Sequence, residues 1–379
     1  MRPISGPTPA AVRHCGEFVT VLRAWPTTKT TAEGALRLTV EGRDVAGRVR
    51  AAELIIARAG PGEWNAAGLS LAPPGRDRKL SDLASTSAAG EVVVHRYGRR
   101  AVVRQHGRYV KVLRRGRGEA AADQAERGAV MAWAAGFRAP QVLSAGQSRV
   151  ECSVLPGTGL YELGGRTGLD QWRAWWGEWA RRWPDLVGGD GAGLTAHTAY
   201  DEQENLRRWT TRTALFHALP DPDGAFADRA TAVCLALGDG VGRPLGVSHR
   251  DLHDKQVLAG EHGLGLLDFD TAALAEPALD LANLMVHAEL RADQGLWSAA
   301  HRDVAVGSVH QVAAELSVPV DRLAVYAEAT RLRLACLYSF RPRHRDLALA
   351  WAFTRGAADE KTLISLSSAA QTARGDLST

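Results

Sequence analysis

Several things are scarce in this 379-residue chain: it has four cysteines, three methionines and 46 basic residues of which only five are lysine. Cys15, Cys152, Cys234 and Cys336 are far apart and show no C-x-x-C spacing, which excludes a zinc cluster and a disulfide framework and leaves reduced thiols as the expectation. No uncharged apolar run reaches 18 residues, so no transmembrane span is expected. The stretch Met1 to Phe18 is broken by Pro3, Gly6, Pro7, Pro9, Arg13 and His14 and holds no continuous apolar segment of signal-peptide length, so the expected location is the cytoplasm, with no membrane partner. An excess of one charge is also missing. The net charge is only +4, and the preference for arginine over lysine reads as a composition bias rather than a nucleic-acid footprint, so no nucleic-acid partner is implied. There is no internal repeat, and oligomeric state is not legible.

With 45% hydrophobic residues and a length of two to three times the usual ~150-residue domain, the chain can bury a core in more than one unit. Phe18-Val19-Thr20-Val21-Leu22, Leu36-Arg37-Leu38-Thr39-Val40 and Leu54-Ile55-Ile56 alternate with period two between Gly, Pro and Thr clusters and predict a small antiparallel sheet. Pro61 to Arg78 reads as a connection. A meander is predicted over 91–97, 101–104 and 109–113, then a helix from Glu119 to Ala135 closed by Gly136, then a strand pair flanking Ser148 to Leu155. Beyond Pro156-Gly157 helical patterns dominate. Trp172, Trp175, Trp176, Trp179 and Trp183 share one helical face, a spacing that predicts buried packing rather than a ligand cage. The expected division is a β-rich accessory segment at 1–78, a sheet-plus-helix lobe at 79–156 and a helical lobe at 157–379.

The helical part is interrupted by Ser248-His249-Arg250-Asp251-Leu252-His253-Asp254-Lys255-Gln256 and, after two short apolar strands, by Leu267-Asp268-Phe269-Asp270. A carboxylate, an amide five residues on and a second carboxylate seventeen residues after the first are what phosphoryl transfer needs: Asp251 to accept a hydroxyl proton, Gln256 and Asp268 to hold magnesium. Asp270 is a further metal candidate.

With Ala275-Glu276-Pro277-Ala278-Leu279-Asp280-Leu281-Ala282 following, the three ordered motifs resemble those of the aminoglycoside phosphotransferase family, small-molecule kinases of the protein-kinase-like fold. The resemblance implies an α+β bilobal fold, ATP and magnesium as cofactors, Asp251 as catalytic base, Gln256 and Asp268 as metal ligands, and Asp280 as an anchor of the catalytic loop. The family's usual Asn is Gln256 here, as in maltokinase-like sugar kinases, which also carry a strand-rich N-terminal cap. Lys111 is expected to meet the nucleotide's phosphates, with Glu126, or else Glu119, as its partner. Ser153, Val154 and Leu155 are expected to hold adenine through their backbone. The phosphate-covering turn is either Ser85 to Gly90 or Gly98-Arg99-Arg100. Two substrate signals point in opposite directions: Asp201 and Glu204 suit a polyamine, whereas Arg341 and Arg343 suit a carboxylate or phosphate. The expected acceptor is a small molecule with a hydroxyl, an antibiotic of aminoglycoside or nucleoside-sugar type, with a sugar or amino sugar as the alternative. A nucleotide-binding scaffold without turnover is the competing class. No Ala-Pro-Glu segment follows Asp268, which disfavours a protein kinase.

Overall fold

The computed structural model describes residues 4–60, 62–239 and 242–353. Its first unit is a six-stranded antiparallel sheet of β1 (Ile4–Ser5), β2 (Ala11–His14), β3 (Glu17–Thr30), β4 (Leu36–Asp44), β5 (Val49–Gly60) and β6 (Glu63–Leu71), ordered β1-β6-β5-β4-β3-β2. The period-two pattern sets its buried face: Leu36, Leu38 and Val40 on β4 and Leu54 and Ile56 on β5 are nearly inaccessible to water. The segment read as a connection, Pro61 to Arg78, contains β6 instead, because Ala66, Leu69 and Leu71 pack on the same core as Trp64 despite the local glycines.

Next comes α1 (Leu83–Ala88), then a five-stranded sheet ordered β10-β11-β9-β8-β7, built from β7 (Glu91–Arg96), β8 (Arg100–Gln105), β9 (Arg108–Leu113), β10 (Val142–Ala145) and β11 (Arg149–Ser153). Between β9 and β10 runs α2 (Gly118–Ala134), ended by Gly136 at φ +80°, the left-handed conformation glycine adopts cheaply after a helix. This lobe has its own core of Leu80, Leu83, Ala101, Val103, Val110 and Val112.

The remainder is mainly helical. β12 (Thr158–Gly159), α3 (Leu160–Leu163), α4 (Leu169–Val187), α5 (Ala199–Leu215) and α6 (Ala225–Gly238) lead to β13 (Gly246–Ser248), β14 (Val257–Gly260), β15 (Gly263–Leu266) and β16 (Ala273–Ala275). Then follow α7 (Ala278–Asp293), α8 (Ala299–Glu315), α9 (Val320–Tyr338) and α10 (Arg345–Phe353). The tryptophan stripe of α4 is core, as its spacing predicts: Trp172, Trp176, Trp179 and Trp183 are fully buried and form a ladder with centroids 5.6–5.7 Å apart, while Trp175 is partly buried against it. The molecule is thus an α+β, bilobal, protein-kinase-like fold preceded by an extra sheet. That sheet packs against the helical lobe through Phe216 and Phe340, whose rings meet edge-on at 5.5 Å, and the Ala24 amide donates to the Phe340 carbonyl at 2.9 Å.

Candidate active site

β13 and β16 pair antiparallel, and the loop from His249 to Gln256 leaves β13 to reach β14. Two residues beside the candidate chemistry have left-handed backbones without being glycine: Arg250 at φ +64° and Asp268 at φ +61°. Such conformations persist only where the surroundings enforce them. At Arg250 the enforcing group is Asp280, whose buried carboxylate accepts from the Ser248 hydroxyl at 2.7 Å, the His249 amide at 2.6 Å and the Arg250 amide at 2.8 Å.

Asp280 belongs to a buried polar face of α7. Asp280, Asn283, His287 and Arg291 recur on α7 at i, i+3, i+7 and i+11, and three of them grip the loop. The Asn283 amide donates to the Leu252 carbonyl at 2.7 Å, and Arg291 forks onto Asp254 at 2.7 and 2.9 Å. The Asp254 side chain has no exposure and that of Arg291 has 3%, so the pair is fully desolvated. Sequence reading carried Asp280 and missed the other three. Their signal was this helical spacing of polar residues among Leu281, Leu284, Val286 and Leu290.

Between the two clamps, Asp251 stands half in water, its side chain 52% exposed. His253 lies beside it, with Nε2 4.0 Å from the Asp251 carboxylate. Burial pushes the His253 imidazole down to about 4, and Arg291, His249 and Lys255 add to the effect against the pull of Asp251, so the ring is neutral at physiological pH. Its Nδ1 accepts the Lys255 amide at 3.1 Å, which assigns the proton to Nε2, the nitrogen nearer Asp251.

Across the cleft, Lys111 on β9 donates to Asp268 at 3.0 Å and to both oxygens of Asp270 at 2.6 and 2.7 Å. Arg100, at the start of β8, adds a contact to Asp270 at 3.2 Å. Burial opposes charge on Asp268, but Lys111 and Arg100 overcome it and hold the carboxyl down to about 2. Phe269 between the two acids lies against α2, where a Cβ on Gly128 would come within 2.2 Å of the Phe269 Cβ; only glycine permits this approach.

Lys111 therefore pairs with Asp268 and Asp270, not with a helix glutamate. Glu126 and Glu119 are exposed on α2, and the α2 side chain that hydrogen-bonds the Phe269–Ala272 segment is Gln124, whose amide donates to the carbonyls of Phe269 at 3.3 Å and Ala272 at 3.0 Å. With both oxygens on Lys111, Asp270 is the less available of the two acids for a cation. Gln256 is buried next to β15, its carbonyl accepting the Leu267 amide at 2.9 Å.

Of the two candidate turns, residues 85–88 lie in α1, and the β7–β8 hairpin carries Gly98 at φ +60°. Its Gly98 amide is already bonded to buried Asp77 at 2.6 Å, and Asp77 also meets His95 at 3.0 Å. Ser153 ends β11, its amide donating to the Gln141 carbonyl and its hydroxyl accepting the Gln141 amide, both at 2.9 Å. Val154 is exposed, and Leu155 is buried against Gly265.

The two substrate signals separate. Asp201 caps α5 by accepting the Thr198 amide at 2.7 Å and hydroxyl at 2.8 Å, and Glu204 pairs with Arg207 at 3.1 Å, so both carboxylates are used within α5 and its cap. Arg343 is exposed in a 3₁₀ turn, Pro342–His344. Arg341 is partly buried with its guanidinium 4.0 Å from the Tyr338 ring centroid.

Comparison with known proteins gives the following. The family described as "Phosphotransferase enzyme family" matches residues 91–316, from β7 to the end of α8. No curated protein matches the chain. Among solved structures, an aminoglycoside-3'-phosphotransferase of type VIII is 16% identical with a TM-score of 0.50, covering 67% of this chain and 99% of its own. An aminoglycoside phosphotransferase from Streptomyces rimosus is 22% identical at a TM-score of 0.48, over 67% of this chain and 96% of its own. A glucosamine kinase in complex with glucosamine, ADP and inorganic phosphate is 19% identical at 0.43, over 92% of this chain and 93% of its own. No helix of the described residues is long and apolar enough to cross a membrane.

Proposed function

Because the chain belongs to the phosphotransferase enzyme family, we propose that it transfers the terminal phosphoryl group of ATP to a hydroxyl of a small polar molecule in the cytoplasm. One observation carries this reading: Lys111 from the small lobe holds Asp268 and Asp270, opposite an Asp251 whose loop is clamped at both ends by α7. Catalysis by positioning and charge neutralisation needs this much rigidity, because misplacement by about 1 Å is costly.

In this reading the backbone at Ser153–Leu155 holds adenine, and Lys111 and Arg100 turn from the two acids to the phosphates. Gln256 and Asp268 would hold magnesium; their all-oxygen donor set suits a hard cation that takes its remaining ligands from phosphates and water. When bound, the ion offsets the charge that develops on the phosphate oxygens. Asp251 accepts the proton of the attacking hydroxyl as its oxygen bonds to the terminal phosphorus and the bond to the bridging oxygen of the departing ADP breaks. Neutral His253 adds no charge to compete with Asp251.

The acceptor is an antibiotic, which would make the protein a resistance kinase, or a sugar or amino sugar, the reading that Gln256 favours. A polycationic aminoglycoside finds no free counter-charge at Asp201 or Glu204. The test is transfer from γ-labelled ATP with magnesium across aminoglycosides, nucleoside antibiotics and hexoses, with wild type and Asp251→Asn. Labelled product from wild type, reduced at least about 10³-fold in Asp251→Asn while nucleotide binding persists, is the expected result. Nucleotide binding without product from any acceptor would instead support a scaffold.

A further inference from the structure

The loop that carries Asp251 is held through other residues: Asn283 grips Leu252 and Arg291 grips Asp254. The backbone amide of Asp251 donates to Nδ1 of His249 at 3.3 Å, and His249 Nε2 meets the Leu267 carbonyl at 2.7 Å, which ties this stretch of main chain to the segment leading into Asp268. The Asp251 carboxylate, half in water, accepts no hydrogen bond from the described residues. A carboxyl group turns easily about its last bond, whereas a general base must present one oxygen to the reacting hydroxyl.

One ring stands where it can orient that carboxylate. His253 is mostly buried, and its Nδ1 accepts the Lys255 amide at 3.1 Å. Its ring centroid lies 4.8 Å from that of His287, and Arg291 meets Nδ1 of His287 at 3.2 Å, so α7 fixes the ring from behind. The Asp254 oxygen 3.8 Å from His253 Nδ1 already accepts from Arg291 at 2.9 Å and does not draw a proton to that nitrogen. What remains is the Nε2–H, with Nε2 4.0 Å from the Asp251 carboxylate. The other basic side chains of the loop are engaged elsewhere: the Lys255 ammonium lies 4.1 Å from the Tyr161 ring centroid, and Arg250 donates to the Thr271 carbonyl at 3.3 Å.

We propose that His253 is a positioning residue for the transfer: its Nε2–H donates to one oxygen of Asp251 while the other oxygen takes the proton of the acceptor hydroxyl, so that α7, through His287 and Arg291, aims the base. The proposal rests on the phosphotransferase reading. His253 keeps its own proton throughout. A donor without charge suits the task, because it fixes the plane of the carboxylate yet, unlike a lysine or arginine at the same place, leaves the free oxygen basic. The separation of 4.0 Å is about 1 Å beyond a hydrogen bond, and contacts of this kind tighten when the substrate hydroxyl is in place.

The experiment compares wild type, His253→Leu and His253→Gln, each with and without Asp251→Asn, in transfer from γ-labelled ATP with magnesium. The acceptor is the one that wild type labels in the panel above or, where it labels none, water. Leucine fills much of the ring's space without a donor, and glutamine returns an N–H near the place of Nε2. Expected are a kcat lower by about 10- to 100-fold in His253→Leu with the KM for ATP within about twofold, recovery to within about fivefold of wild type in His253→Gln, and a further loss below about twofold when His253→Leu is added to Asp251→Asn. Independently of turnover, long-range proton–nitrogen NMR spectra with isotope-labelled histidine should show His253 protonated at Nε2 at neutral pH, with that signal shifted in Asp251→Asn and lost in His253→Gln. Protonation at Nδ1, a His253→Leu enzyme as fast as wild type, or losses that multiply in the double variant would each overturn the proposal. A wild type that transfers to no acceptor and not to water would remove the kinase reading and the positioning role with it, and the spectra tell that failure apart from the others.

Discussion

Replacing Arg291 by methionine isolates what the α7 clamp contributes. The substitution keeps a long apolar stem beside Tyr161, over which the guanidinium lies at 4.8 Å, but removes the fork onto Asp254 and the contacts to Gln294 at 2.9 Å and Tyr338 at 3.4 Å. Asp254 then remains as a carboxylate with no exposure and no cation in contact, the situation that costs about 3–5 kcal/mol when one member of a buried pair is deleted. At about 2–4 °C per kcal/mol for a unit of this size, the unfolding midpoint should fall by roughly 6–20 °C. The double variant Asp254→Asn/Arg291→Met carries no buried charge, so it should recover about half of the loss, a coupling of at least ~2 kcal/mol between the two sites. Urea and thermal unfolding, followed through the tryptophan ladder of α4, measure both quantities. Turnover should fall in the single variant as well, because Asp254 lies three residues after Asp251 on the same clamped loop. A loss below about 1 kcal/mol in Arg291→Met, or single-site losses that simply add in the double variant, would show that the pair does not hold the loop.

Two further outcomes follow from the same geometry. Gly128→Ala places a methyl group against the Phe269 Cβ, so the Asp268–Asp270 segment must shift; nucleotide affinity, read by calorimetry, should fall about tenfold or more, and an unchanged affinity would separate α2 from the site. His287 is buried against His253 at 4.8 Å between ring centroids, and Arg291 meets its Nδ1 at 3.2 Å. Burial first, then His253, Arg291, Arg333 and Arg341, hold its imidazole well below the ordinary histidine range. Because the folded value is the lower one, stability is complete above the unfolded value near ~6.5 and is lost as pH falls below it, since the unfolded chain takes up the proton first. His287→Gln should flatten the dependence of the urea midpoint on pH below about 6.5; an unaltered slope would contradict the assignment.

Much of this molecule could be read in one dimension, and the reason is physical range. Period-two alternation over 36–40 and 54–56 encodes a strand with one buried face, and the tryptophan spacing of α4 encodes a helix with one buried stripe, because both signals arise between residues only a few positions apart. The candidate site residues Asp251, Gln256 and Asp268 are legible for the same reason: they flank one hairpin, β14–β15, within 18 residues of sequence. Local composition misled at Pro61 to Arg78, where glycines and prolines suggested a loop but packing on Trp64 made β6.

Pairings between distant segments were decided only by the tertiary structure. Lys111 looked like the partner of a glutamate on the next helix, yet its neighbours Asp268 and Asp270 lie 157 and 159 residues away, and α2 turns Gln124 rather than Glu126 toward them. The acids at 201 and 204 looked free in sequence and are consumed by a helix cap and a neighbouring arginine. Arg23 of β3 and Arg96 of β7 meet over the ring of Trp25 although 73 residues separate them, so no short window of the sequence contains them together. Their closeness exists only once folding brings those two strands to one ring.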